Sequence, residues 1–201
     1  SVIAAEDGKT YLVYHTRFND GTEGHQVRVH QLYLNERDWL VAAPFEYTGE
    51  TTTDEDIRTK QLFSASDVPG TYQILVHKYS MDHKNMEEVL PKTIELKADG
   101  TITGAYIGKW TMKEGTSYVQ ITIKGLVYYV VLVEQTMEPK NIKALCFTAC
   151  ANTGENIWAY KVKDDYYLAN QLVSTTIPVK DKQSVYSNVY LYDIALNDGI
   201  N

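Results

Sequence analysis

Apolar and polar residues alternate along most of this chain, and this alternation limits its possible folds more than any other feature. The period is two rather than 3.6, and tyrosine, valine, isoleucine and threonine fill the alternating runs. Such runs are typical of β-strands, because successive side chains of a strand point to opposite faces. The pattern predicts ten strands, at 11–17, 26–34, 39–42, 70–78, 92–96, 101–110, 117–123, 126–135, 144–149 and 156–162. The chain is therefore predicted to be all-β, with helical character only at 82–90.

Glycine-containing turns separate many of these predicted strands. They are Asn19-Asp20-Gly21, Asp99-Gly100, Glu114-Gly115, Lys124-Gly125 and Asn152-Thr153-Gly154. Short turns of this composition favour antiparallel hairpins. We therefore expect neighbouring strands to pair in sequence order.

A polar, acidic stretch divides the chain. Residues 48–56 lack apolar periodicity and resemble a linker or a surface excursion in composition. We predict one blade of a β-propeller at 1–47, a linker at 48–65, an antiparallel β-barrel at 66–163, and a tail or the start of a further module at 164–201. A single blade is too small to bury both of its faces. We expect it to pair with the barrel, with a second copy, or with a propeller-bearing chain.

Charge and hydrophobicity exclude several classes of partner. The formal net charge is −7 over 201 residues, and the calculated isoelectric point is about 5.2. Nucleic acids and anionic membranes attract cationic surfaces, so neither is expected as a partner. No apolar run approaches the roughly 20 residues of a membrane-spanning helix. Neutral ligands suit this composition better.

The two cysteines are predicted to be small buried hydrophobic residues that are not bonded to each other. Cys146 and Cys150 lie four positions apart in one predicted strand. At about 3.3 Å per residue they are roughly 13 Å apart on the same face. A disulfide requires Cα atoms within about 7 Å, so these two cannot pair with each other there.

The ionisable residues show no pattern typical of a catalytic or zinc site. The five histidines, His15, His25, His30, His77 and His83, include no His-x-x-x-His pair. Most are expected to be surface or packed residues. The acidic residues cluster in predicted linkers and turns, whereas glycoside hydrolysis requires two carboxyl groups in one cleft. No catalytic residue is predicted.

Aromatic residues on the predicted barrel strands are candidates for ligand contact. Exposed rings beside polar groups can stack on neutral sugars, whereas inward-facing rings fill a core. Core filling is favoured for most of them. We take Trp110, Tyr128 and Trp158 as the candidate substrate-binding residues.

Three sequence blocks resemble the last blade of the five-bladed propeller in endo-α-1,5-L-arabinanases of glycoside hydrolase family 43. The blocks are YLVYHTRF at 11–18, GHQVRVHQ at 24–31 and WLVAAPFEY at 39–47, in the order and spacing of that family. Residues 104–110, 118–123, 128–135 and 146–158 are more weakly similar to the C-terminal barrel of its extracellular two-domain members. The resemblance covers about 9–162.

The resemblance implies a fold, a substrate and a metal. The fold is a partial propeller blade followed by a small, lipocalin-like antiparallel β-barrel. The substrate of the parent architecture is arabinan or a related pectic glycan, and the protein is secreted to the extracellular space. His15 occupies the position of a family histidine that helps to hold calcium in the complete propeller, so its site here is expected to be incomplete. The catalytic carboxylates of the family belong to earlier blades and have no counterparts in this chain.

Three functions remain open from the sequence. The first is the C-terminal portion of an arabinan-degrading glycoside hydrolase that assists polysaccharide binding and propeller stability but is not catalytic alone. The second is a stand-alone carbohydrate-binding module. The third is a lipocalin-like binder of a small apolar ligand, because Gly108-Lys109-Trp110 is similar to the Gly-x-Trp start of such barrels.

Overall fold

The computed structural model describes residues 1–17, 24–77, 90–137 and 142–162, and these residues are almost entirely β-structure. The described elements are β1 (Val2–Ala4), β2 (Thr10–Arg17), β3 (His25–Leu34), β4 (Leu40–Ala42), α1 (Asp54–Thr59), β5 (Gly70–Val76), β6 (Lys92–Leu96), β7 (Thr101–Gly104), β8 (Gly108–Met112), β9 (Tyr118–Ile123), β10 (Leu126–Met137), β11 (Ile142–Ala151) and β12 (Asn156–Lys161). The all-β prediction is confirmed. The helical prediction at 82–90, apart from Leu90, and the predicted tail at 164–201 lie outside the described residues.

The first four strands form an antiparallel sheet in the order β1-β2-β3-β4, here called the terminal sheet. Strands β2 and β3 pair along their length, from Thr10 opposite Leu32 to Arg17 opposite His25. The sequence pattern did not predict β1, because three residues are too few to show an alternation. The terminal sheet therefore has one strand more than was predicted.

The other eight strands close into an antiparallel barrel in which each strand pairs with the next along the chain. Pairing of β12 with β5, with Trp158 opposite Leu75, completes the closure. Side chains that alternate along the strands fill the interior, among them Ile74, Ile121 and Phe147. A closed barrel leaves no unpaired strand edge, and the barrel prediction is confirmed.

The strand predicted at 101–110 is wrong in one respect, because the structure divides it into β7 and β8. Gly104, with φ of 102°, ends β7 in a conformation that favours glycine. A Cβ atom there would lie 2.7 Å from the carbonyl oxygen of Thr93. In β8, a Cβ on Gly108 would lie 1.9 Å from the carbonyl oxygen of Thr122, so only glycine permits this approach of the strands.

The segment predicted as a linker contains the short helix α1 and joins the two β-units. Thr53 and Asp56 form a capping box at its first turn, and Ile57 is fully buried. The Ser117 amide donates to the Ile57 carbonyl oxygen, and the Leu34 amide donates to the Asp54 carboxylate. The sequence did not predict this helix, because its apolar face consists of Ile57 alone and the rest of the segment is mainly acidic and polar.

A second hydrophobic cluster lies between the terminal sheet and the outer wall of the barrel. The sheet and the residues after β4 contribute Tyr33, Val41, Ala43 and Phe45. The barrel contributes the outward-facing members of β9 to β12 and neighbouring residues: Tyr118, Val131, Val133, Met137, Ala144, Cys146, Tyr160 and Val162. The terminal sheet thus packs against the barrel, which is one of the expected arrangements.

Both cysteines are free, as predicted. Cys146 is buried in the cluster under the terminal sheet, and Cys150 packs at its margin. They therefore lie on the same outer face of β11 and behave as small hydrophobic residues.

Phe45→Ala should destabilise the protein through the cluster between the sheet and the barrel. Phe45 is 2% exposed there, and truncation of a buried phenylalanine costs about 3 to 5 kcal/mol of unfolding free energy. Chemical denaturation measures the change. Leu62→Ala, at a side chain that is 40% exposed, is the control and should cost about 1 kcal/mol or less. Equal losses for the two variants would contradict this packing.

Candidate functional site

The side chain of Trp158 lies at the junction of the terminal sheet and the barrel. It projects from the outer face of β12, and its indole stacks on the His30 ring with centroids 5.4 Å apart and an interplanar angle of 12°. The His77 ring meets it edge to face at 4.3 Å and 88°. The indole Nε1–H donates to the Ala42 carbonyl oxygen at 2.8 Å. Trp158 thus links β3, β4 and the barrel wall.

Hydrogen bonds fix the His30 ring from the sheet side. Its Nδ1 lies 2.7 Å from the Ala43 carbonyl oxygen. Because a carbonyl oxygen only accepts, Nδ1 carries the hydrogen and donates. Nε2 lies 3.2 Å from the Tyr14 hydroxyl, which donates to it when the imidazole is neutral. Burial lowers the pKa of His30, and a nearby Arg28 guanidinium also lowers it, against the opposing effects of the Ala43 hydrogen bond and Glu46.

His77 is the second histidine in contact with the Trp158 indole. Within the described part of the chain, its buried Nε2 has no hydrogen-bond partner. Burial lowers its pKa to about 4, and proximity to His30 adds to this effect. A charged imidazole would therefore be costly at this position. Both histidines face Trp158 as neutral rings at pH 7.

A buried glutamine adds directional contacts to the same junction. The Gln135 side chain, which is 2% exposed, accepts from the Phe45 amide and donates to the Phe45 carbonyl oxygen, both at 3.0 Å. Nearby, the Tyr118 hydroxyl donates to the Leu34 carbonyl oxygen at 3.1 Å. A buried polar group left without its partner costs free energy. These bonds therefore favour one docking geometry of the sheet on the barrel.

A second contact between the sheet and the barrel is partly exposed. Asn35, which is fully buried, donates to the Tyr129 carbonyl oxygen at 3.3 Å. The Arg37 guanidinium lies over the Tyr129 ring, 4.7 Å from its centroid, and donates to the Tyr129 hydroxyl at 3.1 Å. Trp39 meets the same ring edge to face at 5.7 Å.

The structure places the three predicted substrate-binding aromatics in different environments. Trp110 and Tyr128 lie in the barrel interior, 6% and 0% exposed. The Trp110 Nε1–H donates to the Lys97 carbonyl oxygen at 2.8 Å, and the Tyr128 hydroxyl donates to the Glu155 carboxylate. Trp158 lies on the outer wall. The three do not converge on one surface, and their roles in substrate binding stay predictions.

His15 lies on the exposed part of β2, and its ring stacks on that of His25 with centroids 5.0 Å apart. Among the described residues, no group of three or more His, Cys, Asp or Glu could hold a metal ion. Calcium requires six to eight oxygen ligands, so the described residues alone do not fit it. The calcium role of His15 stays a prediction that requires ligands from elsewhere.

Sequence reasoning did not identify the junction residues His30, His77 and Gln135 as a group. The histidines were expected to be surface or packed residues, and both are packed. Their shared partner, Trp158, is 128 positions after His30. Periodicity reports only local structure, so it contains no signal for this contact. For Gln135, the one indication in the sequence was its position in the largely apolar strand predicted at 126–135.

The fold and the junction define a class of protein: a closed antiparallel barrel that supports a small sheet on its outer wall. A family model described as GH43_C, C-terminal lipocalin-like domain, matches residues 44–159. The chain belongs to this family of C-terminal domains of family 43 glycoside hydrolases. Within its described parts, no helix has the length and hydrophobicity of a membrane span.

Two curated relatives that match this chain are extracellular endo-arabinanases. The chain is 36% identical over 162 residues to an extracellular endo-alpha-(1->5)-L-arabinanase of Thermotoga petrophila, covering 79% of this chain and 32% of the relative. It is 33% identical over 154 residues to extracellular endo-alpha-(1->5)-L-arabinanase 2 of Bacillus subtilis, covering 77% of this chain and 30% of the relative. The chain thus spans about one third of their length.

Solved structures agree with this assignment. The family 43 glycoside hydrolase YxiA from Bacillus licheniformis superposes with a TM-score of 0.70 at 33% identity, over 81% of this chain and 34% of that one. The endo-1,5-alpha-L-arabinanase from Thermotoga petrophila gives 0.68 at 34% identity, over 81% and 34%. The resemblance seen in the sequence is therefore confirmed.

The junction should weaken as the pH falls, because the pKa of His77 lies near 4 in the folded state and near 6.5 in an unfolded chain. The unfolded state binds the proton first, so stability present above pH 6.5 is lost on descending towards pH 4. The shift corresponds to about 3 kcal/mol. Denaturant unfolding from pH 7.5 to pH 4 measures this change.

His77→Phe keeps a ring against Trp158 without a titratable group, and it should flatten the fall in stability. His15→Phe alters an exposed imidazole that is no part of the junction and should leave the fall as in the unchanged protein. A His77→Phe variant with an undiminished loss of stability would contradict the account.

Proposed function

We propose that this chain is the C-terminal portion of a secreted, arabinan-degrading glycoside hydrolase. In it, the barrel holds the terminal sheet of the catalytic propeller in place and assists binding of arabinan or a related pectic glycan. The single observation that supports the proposal is the junction between the sheet and the barrel. There the Trp158 indole donates to the Ala42 carbonyl oxygen, and the Gln135 side chain is hydrogen-bonded to the backbone of Phe45. The relatives named extracellular arabinanases supply the substrate and the location.

The terminal sheet requires support from outside itself. A sheet buries an apolar face only by packing it against another element. The barrel covers Tyr33 and Val41, which are 1% and 2% exposed. Val27 and Ile3 remain 66% and 48% exposed. We propose that further blades of the parent polypeptide cover these residues and supply the oxygen ligands that a calcium site near His15 would need.

The chain by itself is proposed to be non-catalytic. Inverting or retaining hydrolysis of a glycoside requires an acid and a second carboxylate at defined positions on the two sides of one bond. The described ion pairs engage several carboxylates with lysine or arginine, as in Arg28 with Glu46 at 2.7 Å and Lys124 with Glu155 at 2.8 Å. Such pairs are typical of structural or solvated charge. The reacting groups would come from the remainder of the propeller.

The small-ligand alternative receives less support than the carbohydrate proposal. Tyr72, Tyr128 and Phe147 are each fully buried inside the barrel together with aliphatic side chains. Bulky residues in these positions occupy the volume that an apolar ligand would need. A stand-alone carbohydrate-binding role differs from the main proposal only in having no propeller to support.

Two assays of the purified chain test the proposal. With linear α-1,5-arabinan and calcium, we expect no release of reducing ends, while a known arabinanase releases them under the same conditions. In native gels that contain arabinan, we expect slower migration than in gels that contain dextran. Release of reducing ends would contradict the non-catalytic part, and equal migration in both gels would contradict the glycan-binding part.

A further inference from the structure

An exposed indole lies on the turn between β3 and β4. Trp39 is 38% exposed, whereas Trp110 is 6% exposed and Trp158 is partly buried. The turn is held rigidly, because the Asn35 carboxamide oxygen accepts from the Arg37 and Trp39 amides at 2.9 and 3.1 Å. Asp38 adopts φ of 58° to complete it. These hydrogen bonds define the backbone of the turn that carries the indole.

Side chains from both β-units surround this indole. Tyr129 projects from the outer face of β10, and its ring is perpendicular to that of Trp39 at 86°. Arg37 covers the Tyr129 ring and donates to its hydroxyl. The Asp38 carboxylate is paired with Arg58 at 2.7 Å. Together Arg37, Trp39 and Tyr129 form a corner at the seam, here called the seam corner.

The chemistry of the seam corner suits a neutral sugar. An aromatic face accepts the apolar C–H face of a sugar ring, while an adjacent guanidinium and phenol can hydrogen-bond its hydroxyl groups. A protein partner fits less well, because a stable interface buries about 800 Å² per side around an apolar centre. Here the exposed apolar side chains of Trp39 and Leu40 have the exposed residues Arg37, Asp38 and Arg58 around them. The chain charge of −7 does not favour an anionic ligand.

We propose that the seam corner is a binding site for neutral arabino-oligosaccharides, with Trp39 as the stacking surface and Arg37 and Tyr129 as its polar contacts. This inference rests on the proposed function, from which it takes the ligand. Because Trp39 belongs to the terminal sheet and Tyr129 to the barrel, a bound chain of sugars bridges the two units. Ligand binding therefore stabilises their junction.

Titration with linear α-1,5-linked arabino-oligosaccharides tests the site. Trp39 fluorescence should change on binding, and acrylamide should quench it less in the complex. The other two indoles are less exposed than Trp39 and donate to backbone carbonyl groups within the fold, so the change is assigned to Trp39. Trp39→Ala should weaken binding about tenfold or more, which corresponds to about 1.4 kcal/mol. Trp39→Phe keeps a ring and should lose about threefold. Calorimetry provides the affinities.

Ile107→Ala is the matched control, because Ile107 is an exposed apolar residue of the barrel, at 81%, and is not part of the seam corner. It should bind as the unchanged protein does. Circular dichroism of Trp39→Ala checks that the fold persists. The oligosaccharide should also raise the thermal midpoint of the unchanged protein and of Ile107→Ala, with a much smaller rise for Trp39→Ala.

The outcomes separate this inference from the proposed function. If the unchanged protein binds arabino-oligosaccharides and Trp39→Ala binds them equally well, the seam corner is not the binding site, while the glycan-binding proposal stands. If the unchanged protein does not bind them, the seam-corner site and the glycan-binding part of the proposed function both fail, while the non-catalytic part is decided by the reducing-end assay. Self-association that requires Trp39, together with unaltered glycan affinity, would identify a protein contact instead and overturn the proposed site.

Discussion

Packing of the terminal sheet against the outer wall of the barrel is the interaction on which the rest of this structure depends. A single sheet can bury an apolar face only against another element, and here Phe45 and Val41 are each 2% exposed in a cluster that they share with barrel residues. Apolar packing supplies the driving force, but it is not directional. The buried bonds from Gln135 and Trp158 to the backbone fix the orientation.

The barrel can offer this wall because some of its strands are apolar on both faces. In β10, Val130 and Leu132 point into the barrel, while Val131 and Val133 point to the terminal sheet. The resulting continuous apolar run differs from the strict alternation of a half-solvated strand. The strand thus belongs to two hydrophobic clusters at once, which couples the barrel to the supported sheet.

The sequence predicted the positions of most strands because period-two alternation is a local property. It missed β1, which is too short, and α1, whose apolar face is Ile57 alone. It also joined β7 and β8, since alternation does not reveal the turn that follows Gly104. The junction was beyond this reasoning because His30 and Trp158, whose rings are in contact, are 128 positions apart in the sequence. The family resemblance nevertheless placed the sheet and the barrel in order.

The central claim is that the terminal sheet and the barrel form one cooperative unit. Native-state hydrogen exchange of the backbone amides in β3 and β10, followed through increasing denaturant, tests it most directly. The account predicts that the most protected amides of both strands converge on the same opening free energy and that this value falls for both in Phe45→Ala. Amides of β3 that open at much lower free energy than those of β10, with no response to Phe45→Ala, would contradict it.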